Sequence, residues 1–277
     1  MTSGAEPGIE AAWPVVLVFV GSLTAFVRAA TLVAGRLRRG EPLVAERPHA
    51  PVPWELGDVV IVVAIYLYGA LLLESLTPKP ITLFDRLVNG GTLSLAAMLA
   101  AIAWLSARGA DAAALGFRSP GVGEVIRLAA GGVALVQLPL LLVAAALNAL
   151  VPYEHPILEY LDKARGPAAA AVVVVSAVVI APIAEEFFFR RVLQGWLEKR
   201  CAGHPWAAVL IASAIFAAAH REQGLAFVPL FPLAIVLGAI TERTGSILPA
   251  VLLHALFNAV SVFLMLARPG PVPGPAG

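Results

Sequence analysis

Long apolar runs broken by short polar or Pro/Gly-bearing stretches set the pattern of this chain. A helix that crosses the ~30 Å hydrocarbon layer needs ~20 mostly apolar residues. Eight runs qualify or come close: Pro14–Gly35, Leu56–Leu76, Leu87–Ser106, Val125–Leu150, Ala168–Ile183, Pro205–Ala219, Leu225–Ile240 and Ile247–Ala267. The first contains one charge, Arg28. Prolines mark many of the breaks, as at Pro51–Pro53, Pro78–Pro80 and Pro152–Pro156, where the ring disfavours helical continuation. The fifth and sixth runs are short for free-standing spans. They are expected to lie inside the bundle or to continue as helix past the bilayer. The pattern predicts an all-α, polytopic transmembrane helix bundle of about eight spans.

Composition agrees. Of 277 residues, 60% are apolar and only 13% are Asp, Glu, Lys or Arg, about half the ~25% of a soluble domain. A net charge of +1 excludes the basic face that a nucleic-acid partner requires. The expected surroundings are a lipid bilayer, in the cell (inner) membrane. The single cysteine, Cys201, excludes a disulfide framework and a CxxC metal site. Residues 1–36 lack a basic leader, carrying Glu6 and Glu10, and read as a retained anchor rather than a signal peptide. The positive-inside rule favours an outside N-terminus. The inside segments then hold Arg36, Arg38, Arg39, Arg47, Arg108, Arg118, Arg127, Arg190, Arg191, Lys199, Arg200 and Arg243. The outside ones hold half as many: Lys79, Arg86, Lys163, Arg165, Arg221 and Arg268. Three regions follow: 1–110, a membrane region of about three spans; 111–267, a core in which polar groups enter the spans; and 268–277, a Pro/Gly-rich tail expected to be disordered.

Charged groups at membrane depth cost ~2.5–3.5 kcal/mol each and are functional candidates by default. Three clusters stand out. Glu185 and Glu186 follow the fifth apolar run with no turn signal after Pro182. Glu186 and Arg190 are spaced i, i+4 with the acid first, the favourable order for an ion pair. Glu185 is left with no counter-ion nearby in sequence, which suits a general base. The plainer alternative is a helix end at the interface, with both acids, Arg190 and Arg191 solvated. In the second cluster His220 lies one turn beyond Phe216, after three alanines; small residues let another helix approach closely. In the third, His254 and Asn258 share one face of the eighth run. The alternative for these two clusters is structural interhelix bonding. A carboxylate, two histidines and an asparagine together suffice to activate water and hold an oxyanion without a nucleophilic side chain. Ser213 and Ser261 have no base at local spacing, and HExxH and GxSxG are absent.

The three motifs, in this order, resemble those of the CPBP intramembrane proteases, which include the type II CAAX prenyl endopeptidases and bacteriocin-processing or immunity proteins. The family's EExxxR, FxxxH and HxxxN/D stand here as Glu185-Glu186-Phe187-Phe188-Phe189-Arg190, Phe216-Ala217-Ala218-Ala219-His220 and His254-Ala255-Leu256-Phe257-Asn258. Leu115-Gly116-Phe117-Arg118 and the stretch Leu237–Ala250 are similar to further family segments, so the resemblance covers about residues 115–265. Arg191 stands where many members have glycine, a departure that bears on local helix packing rather than on the polar motif residues.

The resemblance implies an endopeptidase sunk in the membrane, acting on a membrane protein or lipidated peptide. In it Glu185 would activate water, and His220 would hold that water or shuttle its proton. His254 and Asn258 would bind the oxyanion, Glu186 and Arg190 would form an orienting pair, and Phe216 would pack the motif. The preferred form uses no cofactor. A zinc-dependent version would use Glu185, His220 and His254 as ligands, and a non-catalytic membrane scaffold or immunity protein is the alternative from another class.

Overall fold

The computed structural model of the protein describes residues 9–152, 156–163 and 166–268; the tail after Arg268 lies outside them. Among these residues there are helices and no strand. In chain order they are α1 (Ile9–Arg38), α2 (Leu56–Leu76), α3 (Leu83–Ala107), α4 (Val122–Leu150), the short α5 (Pro156–Lys163), α6 (Pro167–Arg200), α7 (Pro205–Ala219), a 3₁₀ segment Arg221–Ala226, α8 (Phe227–Thr244) and α9 (Leu248–Leu266). Seven are long and apolar enough to cross a membrane, while α7 is a shorter apolar helix. The fifth apolar run therefore does continue as helix, to Arg200. It carries Arg190 and Arg191 inside α6 rather than in a loop, so neither belongs in the count of inside loop charges.

The helix α6 is not uniform. π-helical stretches occupy Val175–Ile180 and Glu186–Gln194. A π stretch shifts the backbone bonding by one residue and releases a carbonyl. The first adjoins Pro182, which has no N–H to donate. Ala181 N–H bonds Ser176 O, five residues back. The next bond in that register would run from residue 182 to Ala177 O, and proline cannot make it. Asn258 of α9 supplies the missing donor, Nδ2 to Ala177 O at 2.8 Å. Beside the second stretch, the Trp54 indole Nε1 donates to Val192 O at 3.0 Å. Both interactions meet the requirement that buried backbone acceptors be paired.

One apolar cluster joins the N-terminal helices to α6. Trp54, Val59, Val62, Met98, Ala101 and Leu105 pack with Phe187, Val192 and Ile247. A second joins α4, α8 and α9 through Leu128, Leu140, Leu233, Leu237, Leu253 and Phe257. Each fully buried side chain of this kind contributes ~1.5–3 kcal/mol where it leaves water; between helices in lipid, close packing matters more. Gly132 serves that packing, because a Cβ there would stand 2.2 Å from Leu253 Cδ1.

The connection between α1 and α2 forms a strap over the polar ends of the bundle. Arg47 N donates to Arg243 O at 2.8 Å, and His49 Nε2 donates to Glu242 O at 2.9 Å. At its end Glu55 meets Lys199 Nζ at 2.5 Å and Arg200 at 3.0 Å. These two cations hold the Glu55 carboxyl below its ordinary value of 4.5, the Lys199 hydrogen bond contributing most.

Candidate active site

Glu185 and Glu186 occupy consecutive positions on α6, so their side chains diverge by ~100°. The two carboxylates consequently meet different surroundings. Glu186 is fully buried, as is Arg190, whose Nε donates to Glu186 Oε2 at 3.1 Å. The other Glu186 oxygen accepts from His254 Nδ1 of α9 at 2.9 Å. Removing one partner of such a pair leaves an uncompensated buried charge, at a cost of ~3–5 kcal/mol. The solvated helix end considered from sequence is thereby excluded: Glu186, Arg190 and Arg191 are 0%, 0% and 2% exposed.

Glu185 faces the other way, into a cavity of about 550 Å³ that His220 also lines. Its Oε2 lies 3.9 Å from His220 Nε2 and 3.9 Å from His254 Nε2. Both distances are too long for direct hydrogen bonds. Each imidazole is oriented through its other nitrogen. His220 Nδ1 donates to Phe216 O at 2.8 Å, while His254 Nδ1 donates to Glu186. The two Nε2 atoms therefore converge on one carboxylate from separate elements, the C-terminal cap of α7 and the body of α9.

Phe216 is the packing centre. Its fully buried ring lies under the Arg190 guanidinium, 4.9 Å from Cζ to the centroid. The same ring contacts Phe189 edge-on at 5.1 Å, His220 at 4.6 Å and His254 at 6.0 Å. Glu185, Glu186, Arg190, Phe216, His220 and His254 thus form one connected group. Asn258 lies one turn beyond His254, with Nδ2 engaged by Ala177 O.

Sequence reading missed the opposite wall of the cavity. Val62, Val63, Tyr66 and Leu67 of α2, with Ser94 of α3, line it across from Phe188, Phe189 and Ile215. These α2 residues sit in a run that is apolar all round, and nothing local marks which face meets α6. Gln194 was missed as well. It is fully buried, donating to Gly238 O at 3.0 Å and to Glu198 at 2.8 Å.

Ligand atoms on a tetrahedral zinc lie about 3.3 Å apart. Among the described residues, no three His, Cys, Asp or Glu side chains gather as a metal site, and Glu185 stands 3.9 Å from both imidazoles. As placed, this donor set does not fit a zinc centre, and no step below runs through one.

Residues 167–260 match the family described as Rce1-like, type II CAAX prenyl endopeptidase Rce1-like. No curated protein and no solved structure matches the chain. The matched segment runs from the start of α6 to the middle of α9 and contains all three polar motifs. The match to a membrane endopeptidase family, together with seven helices long and apolar enough to cross a membrane among the described residues, makes this an integral, multi-pass membrane protein.

Proposed function

We propose that the protein is an intramembrane endopeptidase that hydrolyses a peptide bond of a membrane-embedded or lipid-anchored protein with water activated by Glu185. The observation that carries this reading is the convergence of two separately oriented imidazoles on one carboxylate at the wall of an apolar cavity. A water about 2.8 Å from Glu185 Oε2 and from one imidazole nitrogen spans a 3.9 Å gap with an angle near 90°.

Glu185 takes a proton from that water, and the hydroxide adds to the substrate carbonyl carbon. The oxyanion accepts hydrogen bonds from His254 Nε2–H, when that ring is doubly protonated, and from the second N–H of Asn258. Such donors act strongly in a dry site. The C–N bond then breaks, and the proton held by Glu185 reaches the leaving amine, with His220 Nε2 as the relay. The products are a carboxylic acid and an amine, and transfer of the remaining water proton leaves them as a carboxylate and an ammonium. Glu186 and Arg190 position His254. The reaction uses no metal. With the shorter α7 as an eighth crossing, both termini lie outside a cell (inner) membrane, which places the strap and the Lys199–Arg200 end of α6 on the inner side.

The test is membrane proteomics on cells carrying wild type, Glu185→Gln or His220→Ala. Loss of processing of a membrane protein in both variants, with each variant accumulating in the membrane, is the expected result. Full processing by either variant overturns the reading. Unchanged processing in Glu185→Gln combined with a lost phenotype on deleting residues 1–110 would assign a scaffold role instead. Activity of the purified enzyme should survive a chelator; loss that zinc restores would replace the metal-free reaction.

A further inference from the structure

On the strap side of the bundle lies a second cavity, of about 400 Å³, unconnected with the proposed chemistry. Three arginines line it from three separate elements: Arg47 from the strap, Arg118 from the loop before α4, and Arg191 from α6. Ser119 adds a hydroxyl to the wall, which His49 also borders.

The acids that face the same space are mostly engaged. Glu46 is paired with Arg243 at 3.1 Å, and Asp111 accepts the Ala114 N–H at 2.7 Å. Arg47 pairs with Glu124. Arg118 is exposed and forms no ion pair among the described residues. Arg191 is the unusual member, 98% withdrawn from solvent. Among the described residues it makes no direct ion pair: Glu198 and Asp111 act on it only from a distance, and its hydrogen bonds go to carbonyl oxygens, Nε to Ala114 O and Nη2 to Ala113 O. Its guanidinium also lies 5.9 Å from the Trp54 ring centroid. Gly116 makes room for it, since a Cβ there would come within 3.0 Å of Arg191 Cδ. A buried cation with no acid in direct contact is costly, and one that borders a cavity is poised to receive an anion there.

The depth of the cavity identifies the anion. The apolar stretches stop around it: α2 begins at Leu56, α3 ends at Ala107, α4 begins at Val122, α8 ends at Thr244 and α9 begins at Leu248. The cavity therefore stands at the headgroup level of a bilayer. Guanidinium forks match phosphate oxygens bidentately, and basic pockets between spans at this level suit acidic phospholipid headgroups. We infer that the cavity under the strap binds a phosphate group, with Arg118 and Arg191 as its principal cationic contacts and an anionic membrane lipid as its source. The occupied site would tie the strap to the 111–120 loop and to α6, six residues beyond Glu185.

The full-length protein, purified in detergent, tests this by native mass spectrometry with added phosphatidylglycerol or phosphatidylcholine, and by thermal unfolding with each lipid or with inorganic phosphate. Wild type should retain phosphatidylglycerol in preference to phosphatidylcholine and unfold at a higher temperature with it. Arg118→Glu, a surface change, should weaken that retention at least about tenfold, and Arg118→Lys should keep part of it. Stabilisation by millimolar inorganic phosphate that Arg118→Glu abolishes supports the same site with a soluble phosphate as ligand. Equal retention of both lipids with no response to phosphate overturns the inference. So does a phosphatidylglycerol or phosphate response identical in wild type and Arg118→Glu.

Discussion

His254 and Glu186, 68 residues apart in sequence, are joined by a 2.9 Å hydrogen bond in the middle of the bundle. The bond turns the far nitrogen of the imidazole toward Glu185. Glu186 in turn is fixed by Arg190 from its own helix. The pair thus acts on the proposed chemistry through orientation rather than by touching substrate.

Glu186→Gln should reduce peptidase activity by up to about 10⁴-fold, the loss seen when the carboxylate that orients a catalytic histidine is neutralised. It should also destabilise the fold, because Arg190 is left as a buried unpaired cation. The double variant Glu186→Gln/Arg190→Gln should recover much of the unfolding temperature and none of the activity. Recovery of both together would mean that the pair serves stability alone.

Asn258→Ala removes the donor to Ala177 O, an acceptor that Pro182 leaves unpaired. A buried unpaired carbonyl costs ~1–3 kcal/mol, which should appear as a lowered unfolding temperature. Adding Pro182→Ala restores a backbone N–H and should return part of that stability. If Asn258 also holds the oxyanion, the double variant stays slow. Unfolding curves and turnover measured on the three proteins separate the two roles.

The α2 wall of the cleft should control access. Val63 lines the cavity and is half exposed, so a larger side chain there does not overpack the core. Val63→Trp should raise KM or block turnover by tenfold or more while the unfolding temperature stays put. Unchanged kinetics would show that substrate reaches Glu185 by another route.

The strap should respond to acid. The Glu55 carboxyl is held below 4.5 by Lys199 and Arg200, so its contribution is present at neutral pH and is lost as pH falls through the lowered value. Proteolysis within residues 40–55 should therefore accelerate below about pH 4.5. In Glu55→Gln this acid-triggered step should be smaller, and cleavage at pH 7 should already be faster than in wild type.

Much of this protein is determined locally, and local features are visible in sequence. A span must be apolar over ~20 residues, so the helices were readable as runs. The three motifs stood out because polar groups at depth are rare against so apolar a background. The i, i+4 spacing of Glu186 and Arg190 was likewise enough to predict their pairing.

What tertiary structure decided concerns contacts between distant segments, which leave no mark on local hydropathy. Run length alone could not say that the helix begun at Pro167 continues through the arginines to Arg200, burying both. The donor that Pro182 lacks comes from a residue 76 positions later. The cleft wall comes from α2, whose apolar surface looks alike on every side. Arg191 could be read from sequence only as a departure from a motif; its position against Gly116, Trp54 and two carbonyls is what turns it into the floor of an anion-sized cavity.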